Sequence, residues 1–193
     1  MIFPTDILRA ALCCVADEKE ERTYLQGVYI TPTHIFATDG RAAVRMEHGA
    51  DTDIDAVFML KGEIPASAEG TLIHLYDDGW IAIHMDENSE PVGSCELEKI
   101  ECRYPDFDNL LPSTAEACDE LPAFAARLLA LPAKMFKSGF VPVKFKTYGK
   151  GQLCQLLLDA VTDHLYGNPF LIIMPLHDNA FELCEEVLNE KGI

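Results

Sequence analysis

The side chains best suited to chemistry are plentiful in this sequence, but they do not fall into chemical patterns. Six histidines and seven cysteines are scattered through 193 residues. Cys13 and Cys14 are adjacent, while Cys95, Cys102, Cys118, Cys154 and Cys184 follow at irregular intervals without a C-x-x-C pair. Zinc sites and dithiol redox centres rely on such pairs, because a short loop brings two sulfurs to one ion or one bond. The cysteines therefore read as small, mostly buried thiols of a reducing compartment. On a hairpin expected around Asp78-Gly79, His74 would pair with Ile83 and His84 with Ile73. Cross-strand partners share a face, so the two imidazoles would point to opposite sides and could not hold one metal. Asp51, Asp53 and Asp55 alternate in a loop-like stretch and read as solvated. No nucleophile elbow, phosphate-binding loop or dinucleotide fingerprint is present. No catalytic residue, metal or cofactor is expected, and the sequence points to binding rather than catalysis.

Charge is the next constraint. The chain carries 32 acids against 15 Lys and Arg, a formal charge of −17. Such a balance repels polyanions on average, but its distribution is uneven. Between Glu120 and Asp159 there is no acid, and Arg127, Lys134, Lys137, Lys144, Lys146 and Lys150 all fall in that window. One basic face on an otherwise acidic molecule is the expectation. No apolar run approaches the roughly 18 residues of a membrane span. The N-terminus has Asp6 where a signal peptide would be apolar. A soluble, cytoplasmic protein with no membrane partner is expected.

The elements that must position any binding surface follow from periodicity. Ile7, Leu8, Ala11, Leu12 and Val15 mark an amphipathic helix with Thr5 as its N-cap. Alternating runs predict strands over Tyr24–Ile30, His34–Thr38 and Arg41–Met46, with Asp39-Gly40 as a hairpin turn. Further strands are expected over Ala56–Leu60, Thr71–Tyr76, Trp80–Met85 and Ser94–Cys102. Asp108–Asp119 is the best linker. Beyond it, Phe124 to Lys137 predicts a helix broken at Pro132. Strands follow over Val141–Thr147 and Gln152–Asp159. Phe170–Leu176 is apolar almost throughout and must be buried on both faces. Asn179–Glu190 predicts an acidic helix with Phe181, Cys184, Val187 and Leu188 on one side. A helix introducing antiparallel strands occurs twice, which suggests a duplicated unit in an α+β fold.

Three segments stand out together. Arg22-Thr23-Tyr24-Leu25-Gln26-Gly27-Val28 leads into Ala37-Thr38-Asp39-Gly40-Arg41. Tyr104-Pro105-Asp106-Phe107-Asp108-Asn109-Leu110-Leu111-Pro112 is the second, and Ile172-Ile173-Met174-Pro175-Leu176 the third. In that order they resemble the bacterial sliding clamp, the beta subunit of DNA polymerase III. The resemblance covers residues 5–112 well, as that family's middle domain, and 124–177 more loosely, as the latter part of its final domain. It implies two clamp-like units, 1–112 and 113–193, the second shortened and followed by an extra helix. The family's first domain has no counterpart, as in a cut-down clamp of a phage or mobile element.

What the resemblance implies about function is concrete. Clamps are non-catalytic rings around duplex DNA, with antiparallel sheets outside and helices on the inner face. Partner peptides, including those of DNA polymerases, dock in an apolar pocket. Carried over by position, that pocket is Thr38, Gly40, Arg41, Pro105, Leu110, Ile172, Met174, Pro175 and Leu176. Arg22 and Tyr24 match DNA-facing positions and join the six cations of the acid-free window as expected DNA contacts. Non-specific duplex DNA, docking peptides and further copies of the chain are the implied partners. The alternative is a clamp-derived regulator or decoy that keeps the docking surface without a ring. The sequence also departs from the pattern. The loop Thr38-Asp39-Gly40-Arg41-Ala42-Ala43 is one residue short, without the family's His or following Leu. Asn109 replaces a common arginine, and Glu20 and Glu21 beside Arg22 would repel phosphate.

Overall fold

Apolar–polar alternation over most of the chain builds strands, and the computed structural model joins them into one sheet. The structure describes residues 2–110, 114–116, 118, 122–137 and 139–191. The Leu111-Pro112 end of the second motif and much of the expected linker lie outside these residues. β1 (Ile2–Pro4) runs directly into α1 (Thr5–Leu12). After a 3-10 turn at Thr23–Gln26 come β2 (Val28–Ile30), β3 (His34–Thr38), β4 (Ala42–Glu47) and β5 (Ala56–Lys61). A meander follows of β6 (Gly70–Tyr76), β7 (Gly79–Met85) and β8 (Pro91–Ile100). A second 3-10 turn, Phe107–Asn109, precedes α2 (Ala126–Leu129) and α3 (Leu131–Met135). The chain ends with β9 (Lys144–Thr147), β10 (Cys154–Leu157), α4 (Ala160–Leu165), β11 (Phe170–Ile173) and α5 (Ala180–Lys191).

Among the described residues the sheet is 11-stranded, in the order β1-β6-β7-β8-β5-β2-β3-β4-β11-β10-β9. Every pairing is antiparallel. The α+β architecture expected from the sequence, an antiparallel sheet with helices on one face, is what forms. α1 lies on β3 and β4 and against α3. Their shared core holds Ile7, Leu8, Val44, Met46, Leu128, Met135, Leu156, Leu171 and Ile173, all buried. A smaller cluster of Ala43, Phe107, Tyr148, Leu153 and Ile172 sits apart from it. The two segments expected as separate units share the sheet through β4 and β11, where Ala43 faces Ile172 and Val44 faces Leu171. β11 is apolar throughout because both of its faces are covered: Leu171 and Ile173 lie in the main core and Ile172 in the smaller cluster.

Several local expectations are corrected. Thr5 is the first residue of α1 and not its cap. Its hydroxyl is buried and within 2.8 Å of Thr71 Oγ1, so it joins the helix to the sheet instead. The run Tyr24–Ile30 is strand only from Val28, because residues 23–26 wind into a 3-10 turn. The β6–β7 turn is Asp77-Asp78, with Gly79 opening β7 at φ 138°. His74 therefore pairs with Ile81, and His84 with Thr71. The register differs by two residues, which preserves which face each histidine takes. His74 is exposed and His84 fully buried. α4, whose N-cap Asp159 accepts bonds from the Val161 and Thr162 amides, has no counterpart in the sequence reading.

Candidate functional site

The β3–β4 turn is built by two short polar side chains. Thr38 Oγ1 donates to the Ala42 carbonyl at 2.7 Å and accepts from the Gly40 amide at 3.1 Å. Asp39 Oδ1 accepts from the Arg41 and Ala42 amides at 2.8 and 2.7 Å. Gly40 takes φ 80°, a left-handed conformation that other residues rarely adopt. Four side-chain-to-backbone hydrogen bonds thus hold the turn in this shape. The Met174 amide donates to the Arg41 carbonyl at 2.7 Å, which extends the β4–β11 pairing past the last strand residue. Motif one and motif three are joined through backbone.

The second motif closes the same place from the side. Asp106 caps the 3-10 turn, accepting from the Asp108 amide at 3.0 Å and from Asn109 Nδ2 at 2.6 Å. The turn drives Phe107 inward, where it meets Phe36 edge-on with centroids 5.0 Å apart. Arg45 pairs with Asp108 at 3.0 Å and ties the turn to β4. Asn109 is held to the Asp106 carboxylate within its own turn.

These contacts leave a pocket of about 200 Å³ beside the β3–β4 turn, at the β4–β11 seam. Thr38, Gly40, Arg41, Pro105, Leu110, Ile172 and Met174 line it. Pro175 and Leu176 do not. They line an adjoining cleft of about 860 Å³ that shares Gly40, Arg41 and Met174 with the pocket and reaches Leu128 and Lys150. All nine residues singled out in the sequence therefore border one continuous depression at the β4–β11 seam. Met174 is 41% exposed, so it is a wall of the pocket and not core. The sequence reading missed Leu25, Ala42, Ala43, Phe107, Leu153 and Ile173, which also contribute to the wall. Parity gives the signal for Ala43: it lies directly opposite Ile172 and so shares its face. Phe107 stands inside the quoted motif.

Among the described residues that line the depression, Arg41 is the cation without a carboxylate partner, in contrast to its neighbours. Arg22 pairs with Glu20 at 2.7 Å, and this hydrogen bond raises its pKa. Arg127 pairs with Asp39 at 3.0 Å, and Lys150 with Asp178 at 2.8 Å. Arg41, exposed on the rim, makes no ion pair among the described residues. The depression is apolar at its centre, with a guanidinium at its edge. It can take an apolar side chain and an adjacent anionic or carbonyl group. Among the described residues, no group of three His, Cys, Asp or Glu is placed to hold a metal.

The expected DNA-facing residues do not form one surface. Arg22 and Tyr24 lie in the pocket wall. Phe145 of β9 stacks on Phe124, with centroids 5.7 Å apart, on the helix side. Strand pleating then turns Lys144 and Lys146 to the other face, where Lys146 sits 5.3 Å from the Tyr148 ring. Lys134 and Lys137 stay on the helix side, close enough to Cys13 to moderate the rise that burial imposes on its thiol pKa. Contiguity in sequence suggested a single basic face; the pleat divides it.

The fold is that of sliding clamps. The DNA polymerase III beta chain of Streptococcus pneumoniae matches with a TM-score of 0.60 over 92% of this chain and 64% of that one, at 15% identity. The beta sliding clamp of Caulobacter crescentus matches at 0.60, covering 92% of this chain and 65% of that one, at 12% identity. DNA polymerase III subunit beta of Borrelia burgdorferi matches at 0.58, with 92% and 64% covered and 12% identity. The chain thus spans just under two thirds of the length of the solved structures it resembles. No protein-family model and no curated protein sequence matches it.

Proposed function

We propose that this protein is a shortened relative of DNA sliding clamps that docks Leu- and Phe-rich partner peptides in the seam pocket and catalyses no reaction. One observation carries the reading: three motifs far apart in sequence converge on one pre-formed apolar pocket, on a clamp fold. Core packing alone gives no reason for Met174 to stand 41% exposed at the mouth of that pocket. Each Leu or Phe buried there contributes about 1.5–3 kcal/mol. A free peptide loses conformational freedom on docking, which leaves affinity on the order of micromolar. Calorimetric titration of a polymerase-type clamp-binding peptide tests the reading. Met174→Lys should weaken binding by about 2 kcal/mol, roughly thirtyfold, while circular dichroism stays unchanged. No binding by well-folded wild type removes the pocket assignment.

Encircling of duplex DNA by a closed ring of copies is the second part of the proposal, with Lys134 and Lys137 as its inner cations. A docking protein that forms no ring is the competing reading. The division of the basic window between two faces and the −17 charge both favour it. Native mass by light scattering, with retention on closed circular DNA, separates them. A monomer that is not retained leaves the ringless regulator.

A further inference from the structure

The seam pocket accounts for the three motifs but not for α5. Phe181 is 71% exposed, Leu183 49% and Val187 47%, and the nearby Cys184 is exposed as well. At 3.6 residues per turn these four positions fall on one side of the helix, and Glu182, Glu185 and Glu186 on the other. A free helix of 12 residues is marginal in water and needs a surface for its apolar side. We propose that this surface is the seam depression of a second copy of the chain, with Phe181 in the apolar pocket, so that α5 competes with foreign peptides. The inference rests on the reading of the pocket as a peptide site.

Charge selects that surface. The chain is strongly acidic, and Glu185, one turn from Phe181 on α5, lies at the edge of the apolar side, where a second α5 would offer further carboxylates and the seam depression offers a cation. The seam depression combines an apolar centre with Arg41, which makes no ion pair among the described residues, and it opens beside the acid-free stretch of the chain. An acidic amphipathic helix fits a groove of that kind. Geometry selects the other copy over the helix's own. The Leu176 amide donates to the Ala123 carbonyl at 2.8 Å, and Asp178 pairs with Lys150 at 2.8 Å. The tether between Met174 and α5 is held at both points. For Phe181 to reach the pocket beside Met174 in its own chain, the tether would have to release both and double back within a few residues.

The test uses full-length protein carrying Phe181→Asp, a change at an exposed position that vacates the pocket. A synthetic peptide of residues 177–191 should bind this variant, and Met174→Lys added to it should abolish binding. Wild type, held where it self-associates, should bind the same peptide about tenfold more weakly, as expected when one pocket in ten is open. Equal binding to wild type and variant, or none to the variant, overturns the proposal. A foreign Leu/Phe-rich peptide run in parallel keeps the two ideas distinct. If only the foreign peptide binds, self-docking fails and the pocket reading stands. If only the 177–191 peptide binds, self-docking stands and the foreign-partner reading fails. If neither binds, both fail.

Discussion

The two faces of the sheet at the β4–β11 seam use the same strands for opposite ends. On the helix side, Val44, Leu171 and Ile173 are fully buried in the main core. On the outer side, one residue along, Ala43 and Ile172 floor an open pocket. Strand pleating sends neighbours to opposite faces, which separates Ala43 and Ile172 from the main core, while Ile173 at the end of its strand belongs to that core and also reaches the pocket wall. The small Ala43 opposite the large Ile172 leaves the pocket; a bulky pair would fill it.

The comparison breaks first where it predicts the largest difference. Leu171→Ala should cost about 2–5 kcal/mol of stability, because it empties a fully packed position, while the folded fraction still binds peptide. Denaturant unfolding measures it. A loss under 1 kcal/mol (roughly the cost of a surface change) would mean that the helix-side core is not what holds the seam together. Ala43→Leu is the outer-face counterpart. It should cut peptide affinity by about tenfold by filling the pocket, with little change in unfolding midpoint. A large loss of stability instead would make Ala43 a core position.

The basic window sharpens the same contrast for DNA. Lys134→Glu with Lys137→Glu should weaken duplex retention and lower the salt slope by about 2, one per lost phosphate contact. Lys144→Glu with Lys146→Glu, on the other face, should leave both unchanged. Equal effects from the two pairs would return the window to a single surface.

The smallest expected effect concerns a buried polar side chain on the helix side of the sheet. His84 is fully buried, with Nδ1 3.0 Å from Thr71 Oγ1 and Nε2 3.5 Å from Cys95 Sγ. Burial, then the Arg9 charge, lowers its pKa below the ordinary 6.5. Between that value and its lower folded one, the unfolded chain takes up a proton that the folded chain refuses. Stability is therefore full above about pH 6.5 and falls as pH drops through it, by at most about 1.4 kcal/mol per unit for one proton. His34 and His48 are shifted in the same direction, again chiefly by burial, and share this window. His84→Gln should make the fall less steep. An unchanged slope would assign it to the other two.

Much of this was legible in the sequence, because local chemistry decided it. Asp39-Gly40 announced the β3–β4 turn, and the apolar run at residues 170–176 announced a strand buried on both faces, which the structure ends at Ile173. The nine residues around the seam depression came instead from the family resemblance that the three motifs carry. What was not legible depended on pairing between distant segments. β1 is only Ile2–Pro4, too short to alternate, and becomes a strand because β6 accepts it. Leu153 enters the pocket wall through the β10–β11 pairing, which no local pattern reveals. The acid-free window looked like one face because a sequence is linear. Phe145 packing on Phe124 fixed which way the flanking lysines turn.

The central claim is that the outer face of the seam is a docking surface and the inner face is not. Methyl NMR of the full-length Phe181→Asp protein, titrated with a Leu/Phe-rich clamp-binding peptide, tests it most directly. The methyl signals of Leu110, Leu153, Ile172 and Met174 should shift together and saturate at one peptide per chain, while those of Val44, Leu156 and Leu171 stay in place. Shifts centred on the helix-side methyls, or no shift in the seam set at saturating peptide, would contradict it.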